Sequence, residues 1–237
     1  RCQDRRPDFR THLGFVSRVD MRLTEQFLGY YWRPEGKLVQ YYGPTVDVIV
    51  NGNRAGDIQD WVVDTSFDIG LRGQTSFSLK RNDAFELFQG LGFRKHSTGA
   101  SVSTAWLKWL AISGQIQAGA GVNYFPGSSL PSFLADSRTA RIGLTLRPMP
   151  RFRVEETYIY SRLATREGST PAGFSPATPI FNNHILRSNW NWQFTRELSL
   201  RVILQYDAVL ANPEHTALPT RKNFNADFLL TYLVHPG

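Results

Sequence analysis

The sequence has 237 residues and a formal net charge of +7, with 27 Lys and Arg against 20 Asp and Glu. Its basic residues are scattered, with no Lys/Arg run of five or more, so no nucleic-acid partner is expected. The single cysteine, Cys2, excludes a disulfide within the chain. No apolar run approaches the roughly 18 residues that a membrane-spanning helix needs.

Apolar and polar residues alternate with a period of two along the whole chain, a pattern that predicts β-strands with two unlike faces. In chain order, the predicted strands are 23–33, 38–50, 58–71, 73–81, 98–110, 114–125, 138–147, 151–162, 181–195, 198–209 and 223–234. Strands of soluble proteins have about 5–6 residues, whereas a tilted membrane strand needs about 9–11. The lengths therefore favour a transmembrane β-barrel.

The alternation assigns residues to the two sides of a barrel wall, most clearly at 198–207. The predicted lipid-facing or aromatic-girdle residues are Trp190, Trp192, Phe194, Leu200, Leu204, Tyr206, Phe228 and Tyr232. The predicted lumen-lining residues are Arg141, Arg153, Arg187, Asn189, Gln193, Arg201, Gln205, Asp207 and Asp227. Such a mixed-charge wall sets selectivity for small polar solutes, or else forms a salt-bridged filling of a narrow lumen. The two Trp residues suit an interfacial girdle, with stacking on a sugar as the alternative.

Short and long connections alternate along the chain, as they do in outer-membrane barrels with tight periplasmic turns and longer external loops. The predicted short connections are 33–37, 71–73, a break near 113, 147–151 and 195–197; the long ones are 51–57, 82–97, 126–137, 163–179 and 210–222. The stretch 82–97 is interpreted as a loop, although Phe85, Leu87, Leu91 and Phe93 also allow a strand. The links 163–179 and 210–222 are expected on the extracellular side.

Motifs for chemistry are not found. The sequence has no nucleophile elbow, phosphate-binding loop or zinc-protease motif, so no catalytic residue, metal site or cofactor is expected. Glu155 and Glu156 are neighbours and must point to opposite faces, so they cannot cooperate as an acid–base pair. Glu156 would face lipid and is expected near a strand end. The small residues of 119–121 are expected to let strands approach closely.

Several phrases of the sequence resemble a bacterial family that joins an N-terminal family-nine-like carbohydrate-binding module to a C-terminal β-barrel of unknown function. These phrases are Ile180-Phe181-Asn182-Asn183-His184, Trp192 to Arg201, Gln205-Tyr206-Asp207 and Asp227 to Tyr232, with Gly14-Phe15-Val16, Tyr31 to Pro34 and Leu146-Arg147-Pro148 in addition. The resemblance implies a bacterial outer-membrane location and carbohydrate as a partner through an upstream module. It transfers no catalytic residue.

The prediction is one all-β domain: an antiparallel up-and-down transmembrane β-barrel of about 11–12 long strands. Both ends are expected to be cut, because the Pro236-Gly237 turn signal implies a further strand. Its partner is outer-membrane lipid, and its expected function is the passage or capture of a small polar solute such as a glycan fragment. The alternatives are a non-conducting anchor for an upstream module and a soluble all-β carbohydrate-binding or hydrolytic domain, because a soluble sheet with one buried face shows the same alternation.

Overall fold

A computed structural model describes residues 2–5, 20–127, 130–169, 171 and 173–234. Its regular elements are twelve β-strands: β1 (Cys2–Arg5), β2 (Met21–Gly29), β3 (Val39–Gly52), β4 (Ile58–Leu71), β5 (Thr75–Phe88), β6 (Leu91–Leu107), β7 (Leu110–Asn123), β8 (Phe133–Met149), β9 (Phe152–Thr165), β10 (Pro179–Gln193), β11 (Leu198–Ala211) and β12 (Arg221–Tyr232). Within the described ranges, no helix is long and apolar enough to cross a membrane.

The strands form one antiparallel sheet in which each strand pairs with its neighbours in sequence, from β1 through to β12. Apart from β1, the strands have between 9 residues, in β2, and 17 residues, in β6 and β8. The chain is thus an all-β, up-and-down antiparallel barrel sheet, as the alternation predicted. No ladder joins β12 to β1 in the part of the chain that the structure describes, so the sheet stays open there.

The strand registers allow each residue of the sheet to be assigned to one of two faces, and the assignment is consistent from β1 to β12. Residues directly opposite each other in an antiparallel pair lie on the same face, so the face can be followed from ladder to ladder. Trp190 pairs with Val154 on β9 and Val202 on β11, and Val202 pairs with Phe228 on β12. We call the face that carries Trp190 the apolar face and the opposite one the polar face.

The predicted contrast between short and long connections at the two ends of the strands holds in part: at the loop end 89–90 has only two residues, and at the turn end 30–38 has nine. The turn end has the short connections 72–74, 108–109, 150–151 and 194–197, and also 30–38, where Trp32 and Tyr42 form an isolated bridge. The loop end has 53–57, 89–90, 124–132, 166–178 and 212–220. One turn was misplaced: the break expected near 113 lies at 108–109, and Ser113 is inside β7.

The interpretation of 82–97 as a loop was wrong, and the strand alternative is correct. β5 continues to Phe88 and β6 begins at Leu91, with a two-residue turn between them. Gln89 and Gly90 both have positive φ, 51° and 79°, the left-handed conformation that matches a tight hairpin to the twist of its strands. Charged residues on the apolar face of this hairpin had hidden the strand pattern.

The buried core is small and lies at the loop end of the polar face. Phe133, Ala135, Leu163 and Ile180 are its buried members, and Leu130 and Phe181 pack against them. Elsewhere, large apolar side chains of the apolar face are exposed; Ile116 and Phe228, for example, are 62% and 69% exposed.

Candidate functional site

The nine residues predicted to line a lumen all lie on the polar face. Arg187 pairs with Thr157 and Gln205. The remaining assignments follow from four further rows of paired residues: Arg141–Ile159–Ile185–Asp207, Arg153–Asn191–Arg201, Asn189–Ile203–Asp227 and Gln193–Ser199–Thr231. Their facing a lumen in a membrane stays a prediction.

The polar face encloses a cavity of about 590 Å³ near the middle of the sheet. Its lining reaches from Gln74, at the turn between β4 and β5, to Gln205 on β11. Residues so far apart in the strand order line one space only because the sheet curves around its polar face. Arg141, Arg187 and Asn189 are also among the lining residues, so with Gln205 four members of the predicted set meet there.

The charges of the polar face are segregated along the sheet. On β2–β6 the acids outnumber the bases: the acids are Glu25, Asp47, Asp60, Asp64, Asp68 and Glu86, and the bases are Lys80 and Lys95. On β8–β12 the balance is reversed, with Arg141, Arg153, Arg187, Arg201 and Arg221 against Glu155, Asp207 and Asp227. We call β2–β6 the acidic wall and β8–β12 the basic wall. The cavity is lined by Arg141 and Arg187 of the basic wall, and also by Glu155.

The arginines of the basic wall differ in whether they form ion pairs. Arg153 forms an ion pair with Glu155 on its own strand. Among the described residues, Arg141 and Arg187 make no ion pair. Gln205 donates to Asp207 at 3.0 Å, which occupies one oxygen of that carboxylate. Two guanidinium groups of the cavity thus keep their donors for oxygen acceptors that enter it.

At the loop end, a segment from the β11–β12 loop lies over the polar face. Asn123 Nδ2 donates to the His215 carbonyl at 2.8 Å, and Thr216 Oγ1 donates to the Phe125 carbonyl at 2.7 Å. Asn123, His215 and Thr216 are all at most 3% exposed. Phe174 of the β9–β10 loop contacts the His215 ring, with centroids 4.3 Å apart. We call this contact between 123–126 and 215–217 the loop lock.

The loop lock covers part of the polar face at the loop end. A second cavity, of about 460 Å³, lies beneath it and is lined by Leu218 of the β11–β12 loop together with Lys95 and Asn82 of the acidic wall. Tyr124 donates to Glu86 at 2.7 Å, and Glu86 also binds Lys95. Burial, followed by the nearby Glu86, raises the pKa of Tyr124, so its phenol stays protonated and keeps donating.

The eight predicted lipid-facing or girdle residues all lie on the apolar face. Trp192, Leu200 and Leu230 form one row of paired residues, and Phe194 stacks on Trp192 with centroids 4.8 Å apart. Leu204 pairs with Ser188 and Tyr206 with Leu186, while Tyr232 pairs with Leu198. Five of the six tryptophans, Trp32, Trp106, Trp109, Trp190 and Trp192, lie at or near the turn end, where an interfacial girdle is expected.

The expectation that Glu156 lies at a strand end was wrong. It lies well inside β9 (Phe152–Thr165), on the apolar face, where it pairs with Leu144 and Ser188. Ser188 donates to its carboxylate, and Trp190 Nε1 donates to Ser188 at 2.7 Å. Cross-strand hydrogen bonding, rather than a strand end, is what accommodates Glu156.

The close strand approach expected at 119–121 is present. A Cβ on Gly119 would lie 2.1 Å from the His96 carbonyl oxygen and 2.4 Å from the Ser97 Cα, so only glycine fits beside β6. In the described ranges, no group of three or more His, Cys, Asp and Glu residues could hold a metal ion.

Sequence reasoning missed the loop lock and the basic row on the apolar face. The lock joins residues 92 positions apart and leaves no periodic signal. The basic row, Arg81, Arg138 and Arg162, was visible in principle, since these residues stand at apolar-face positions of their strands.

Comparison with known proteins gives one structural similarity. The solved structure of the NanC porin, described as a rhombohedral crystal form, matches 91% of this chain and 94% of its own, at a TM-score of 0.38 and 9% sequence identity. No protein-family model matches the chain. No curated protein matches it either.

Proposed function

We propose that this chain is an outer-membrane β-barrel that admits a small polar solute, such as a glycan fragment, along its polar face. The observation that carries the proposal is the consistency of the two faces over eleven long strands. One face exposes large apolar side chains, and the other encloses a polar cavity lined by residues of β6–β11. A membrane barrel needs both features at once.

The length of the apolar band supports a membrane position. From Trp192 at the turn end to Asn182 at the loop end, β10 has eleven residues and therefore ten residue-to-residue steps. At about 3.3 Å per residue and a tilt of about 40°, this corresponds to roughly 25 Å along a barrel axis. That height equals the apolar band of outer-membrane barrels, about 25 Å. The row of Asn182 on the apolar face carries the charged Arg162 and Arg138.

The polar cavity suits a hydroxylated solute. Arg141, Arg187 and Asn189 present guanidinium and amide donors, and Ser103 and Thr157 supply hydroxyl groups. Such groups bind the hydroxyl and carboxylate oxygens of a sugar. The resemblance of the sequence to barrels that follow a carbohydrate-binding module supports the same class of solute.

A non-conducting anchor is the second candidate, and the loop lock favours it. The buried contacts among 123–126, 174 and 215–217 cover part of the loop end and reduce the opening there. An anchor would use the same apolar face and need no passage.

Planar-bilayer recording tests the proposal and separates the two candidates. We expect the protein to insert from detergent and to give discrete conductance steps. Substitution of Arg187 with Gln should change the ion selectivity, with Arg94→Gln on the apolar face as the matched control. Insertion without conductance would favour the anchor, and a folded species that is monodisperse without detergent would refute the membrane proposal.

A further inference from the structure

Two arginines stand directly opposite each other on the apolar face near the loop end. Arg138 of β8 pairs with Arg162 of β9, and the same row continues through Ala118 and Thr98 to Arg81 of β5. Like charges directly opposite in a sheet destabilise it. A pair of this kind therefore calls for an anion between the two side chains.

Among the described residues, no carboxylate pairs with Arg138 or Arg162, although one pairs with the third arginine of the row, Arg81. Arg81 donates to both oxygens of Asp83, at 3.0 and 2.9 Å. Arg162 donates only to the Ala177 carbonyl, at 3.3 Å, and its Nε is buried without a hydrogen-bond partner. Asp136, the next residue of the apolar face on β8, lies 3.7 Å from Arg166. The positive charge of Arg138 and Arg162 is thus unmatched.

An apolar groove begins beside Arg138 and runs towards the turn end. It has a volume of about 400 Å³, and small side chains, Ala100, Ala118 and Ala140, form its floor. The flanks are Leu79 on β5 and Tyr160 on β9, which stand at the two ends of the row through Ala100, Ile116 and Ala140. The groove lies between larger residues, is open on the apolar face and is closed at one end by Arg138. This shape suits an acyl chain.

The position of the pair fits a headgroup. Arg138 and Arg162 share a row with Asn182, which lies about 25 Å from Trp192 by the strand geometry given above. They therefore lie at the polar border of the leaflet on the loop-end side. A guanidinium group binds phosphate oxygens in bidentate fashion and is only weakly hydrated, so it suits this border.

We infer that Arg138 and Arg162, with the alanine-floored groove beside them, form a binding site for one anionic phospholipid. The phosphate bridges the two guanidinium groups, and one acyl chain lies along Ala118 and Ala140. The occupant is a membrane lipid and not the transported solute, because the site is on the apolar face. The inference rests on the proposed membrane position.

Native mass spectrometry of the protein extracted from mixed phosphatidylglycerol and phosphatidylcholine vesicles tests the site. We expect one phosphatidylglycerol to be retained in preference to phosphatidylcholine. Loss of one charge-assisted phosphate contact costs about tenfold in affinity, so Arg138→Gln and Arg162→Gln should each reduce retention about tenfold. Arg94→Gln, on the same face but outside the groove, is the matched control.

A second variant tests the groove without touching the charges. Ala118→Leu fills the floor and should lower phosphatidylglycerol retention, whereas Ala226→Leu on the apolar face of β12 should not. Equal retention of the two lipids, or no effect of the arginine substitutions, would overturn the inference. So would displacement of the lipid by inorganic phosphate with no effect of Ala118→Leu, because the pair would then be a general anion site. Failure to insert into vesicles at all would instead refute the proposed function.

Discussion

The turn end and the loop end of the apolar face carry opposite kinds of side chain on the same strands. At the turn end, Trp190 and Trp192 extend the apolar face to the connections, and at the loop end Arg138, Arg162 and His184 interrupt it. The strands do not change their alternation between the two ends. In the proposed membrane position, this difference places the loop ends of the strands beyond the hydrocarbon layer.

The loop end also differs in its connections. Among the described residues, the turn-end connections contain no buried residue, whereas at the loop end 124–132 contributes Ser132 and 212–220 contributes His215 and Thr216. In the proposed membrane position, lipid holds the turn end of the sheet, and the loop end is held partly by its own loops. The difference between the two ends can be tested, first by labelling that should be either present or absent on intact cells.

The first prediction concerns which end faces the cell exterior. In a Cys2→Ser background, cysteines at Glu167 and Glu214 of the loop end should react with a membrane-impermeant maleimide on intact cells. Cysteines at Lys108 and Arg196 of the turn end should react only after the outer membrane is broken. All four positions are exposed, so access to the reagent decides the labelling. The reverse pattern would exchange the two sides.

The second prediction compares charges placed at two depths of β11. Leu204 lies within the apolar band, and Leu210 lies on the row of Arg162 and Asn182. Leu204→Arg should lower the free energy of unfolding by about 2–4 kcal/mol, and Leu210→Arg by about 0–1 kcal/mol. Urea titration in lipid vesicles measures both.

Gln205→Arg, on the polar face next to Leu204, is the control for the second prediction. Water in the lumen and the nearby Asp207 can solvate the new charge, so this variant should resemble Leu210→Arg. A greater loss for Gln205→Arg than for Leu204→Arg would show that the lipid-facing and lumen-facing sides have been exchanged.

The third prediction concerns the loop lock. Asn123→Leu removes the donor to the His215 carbonyl and leaves that buried group unsatisfied, which costs about 1–3 kcal/mol. Limited proteolysis should then cut 212–220 faster, while the turn end remains protected. Asn225→Leu, at an exposed position on β12, should leave the cleavage rate unchanged. Equal cleavage in all three proteins would mean that the lock contributes little to loop order.

The fourth prediction has the smallest expected effect and compares glycines at the two ends. Gly90 has a φ of 79° in the loop-end turn, whereas Gly36 at the turn end is not among the residues of positive φ. A Cβ meets nothing within 4 Å at either position. Gly90→Ala should therefore cost about 1–2 kcal/mol through backbone strain alone, and Gly36→Ala should cost less. Equal losses would contradict the left-handed turn.

The sequence predicted the faces of the sheet well because alternation is a local property. Leu204 and Gln205 were assigned to opposite faces from their neighbours alone, and the register agrees. It predicted the 89–90 turn poorly, because Arg81, Asp83 and Arg94 occupy apolar-face positions and interrupt the pattern where the strands pass beyond the band.

Contacts between distant parts of the chain could not be predicted from the alternation of residues along single strands. The meeting of Arg141 with Arg187 in one cavity depends on the curvature of the sheet. The hydrogen bonds that hold Glu156 on the apolar face depend on the register of β9 with β10. The expected cut ends stay a prediction, since Gly14–Val16 and Pro236–Gly237 lie outside the described residues.

The loop lock has a consequence for the order of folding. Each strand pairs with the strand beside it in sequence, so the hairpins can form one after another at a low cost in loop-closure entropy. The contact between Asn123 and His215 spans 92 residues and needs β8–β11 in place first. Assembly should therefore end with a slow phase in which the loop end closes, and protease resistance of 212–220 should appear after the strands have formed.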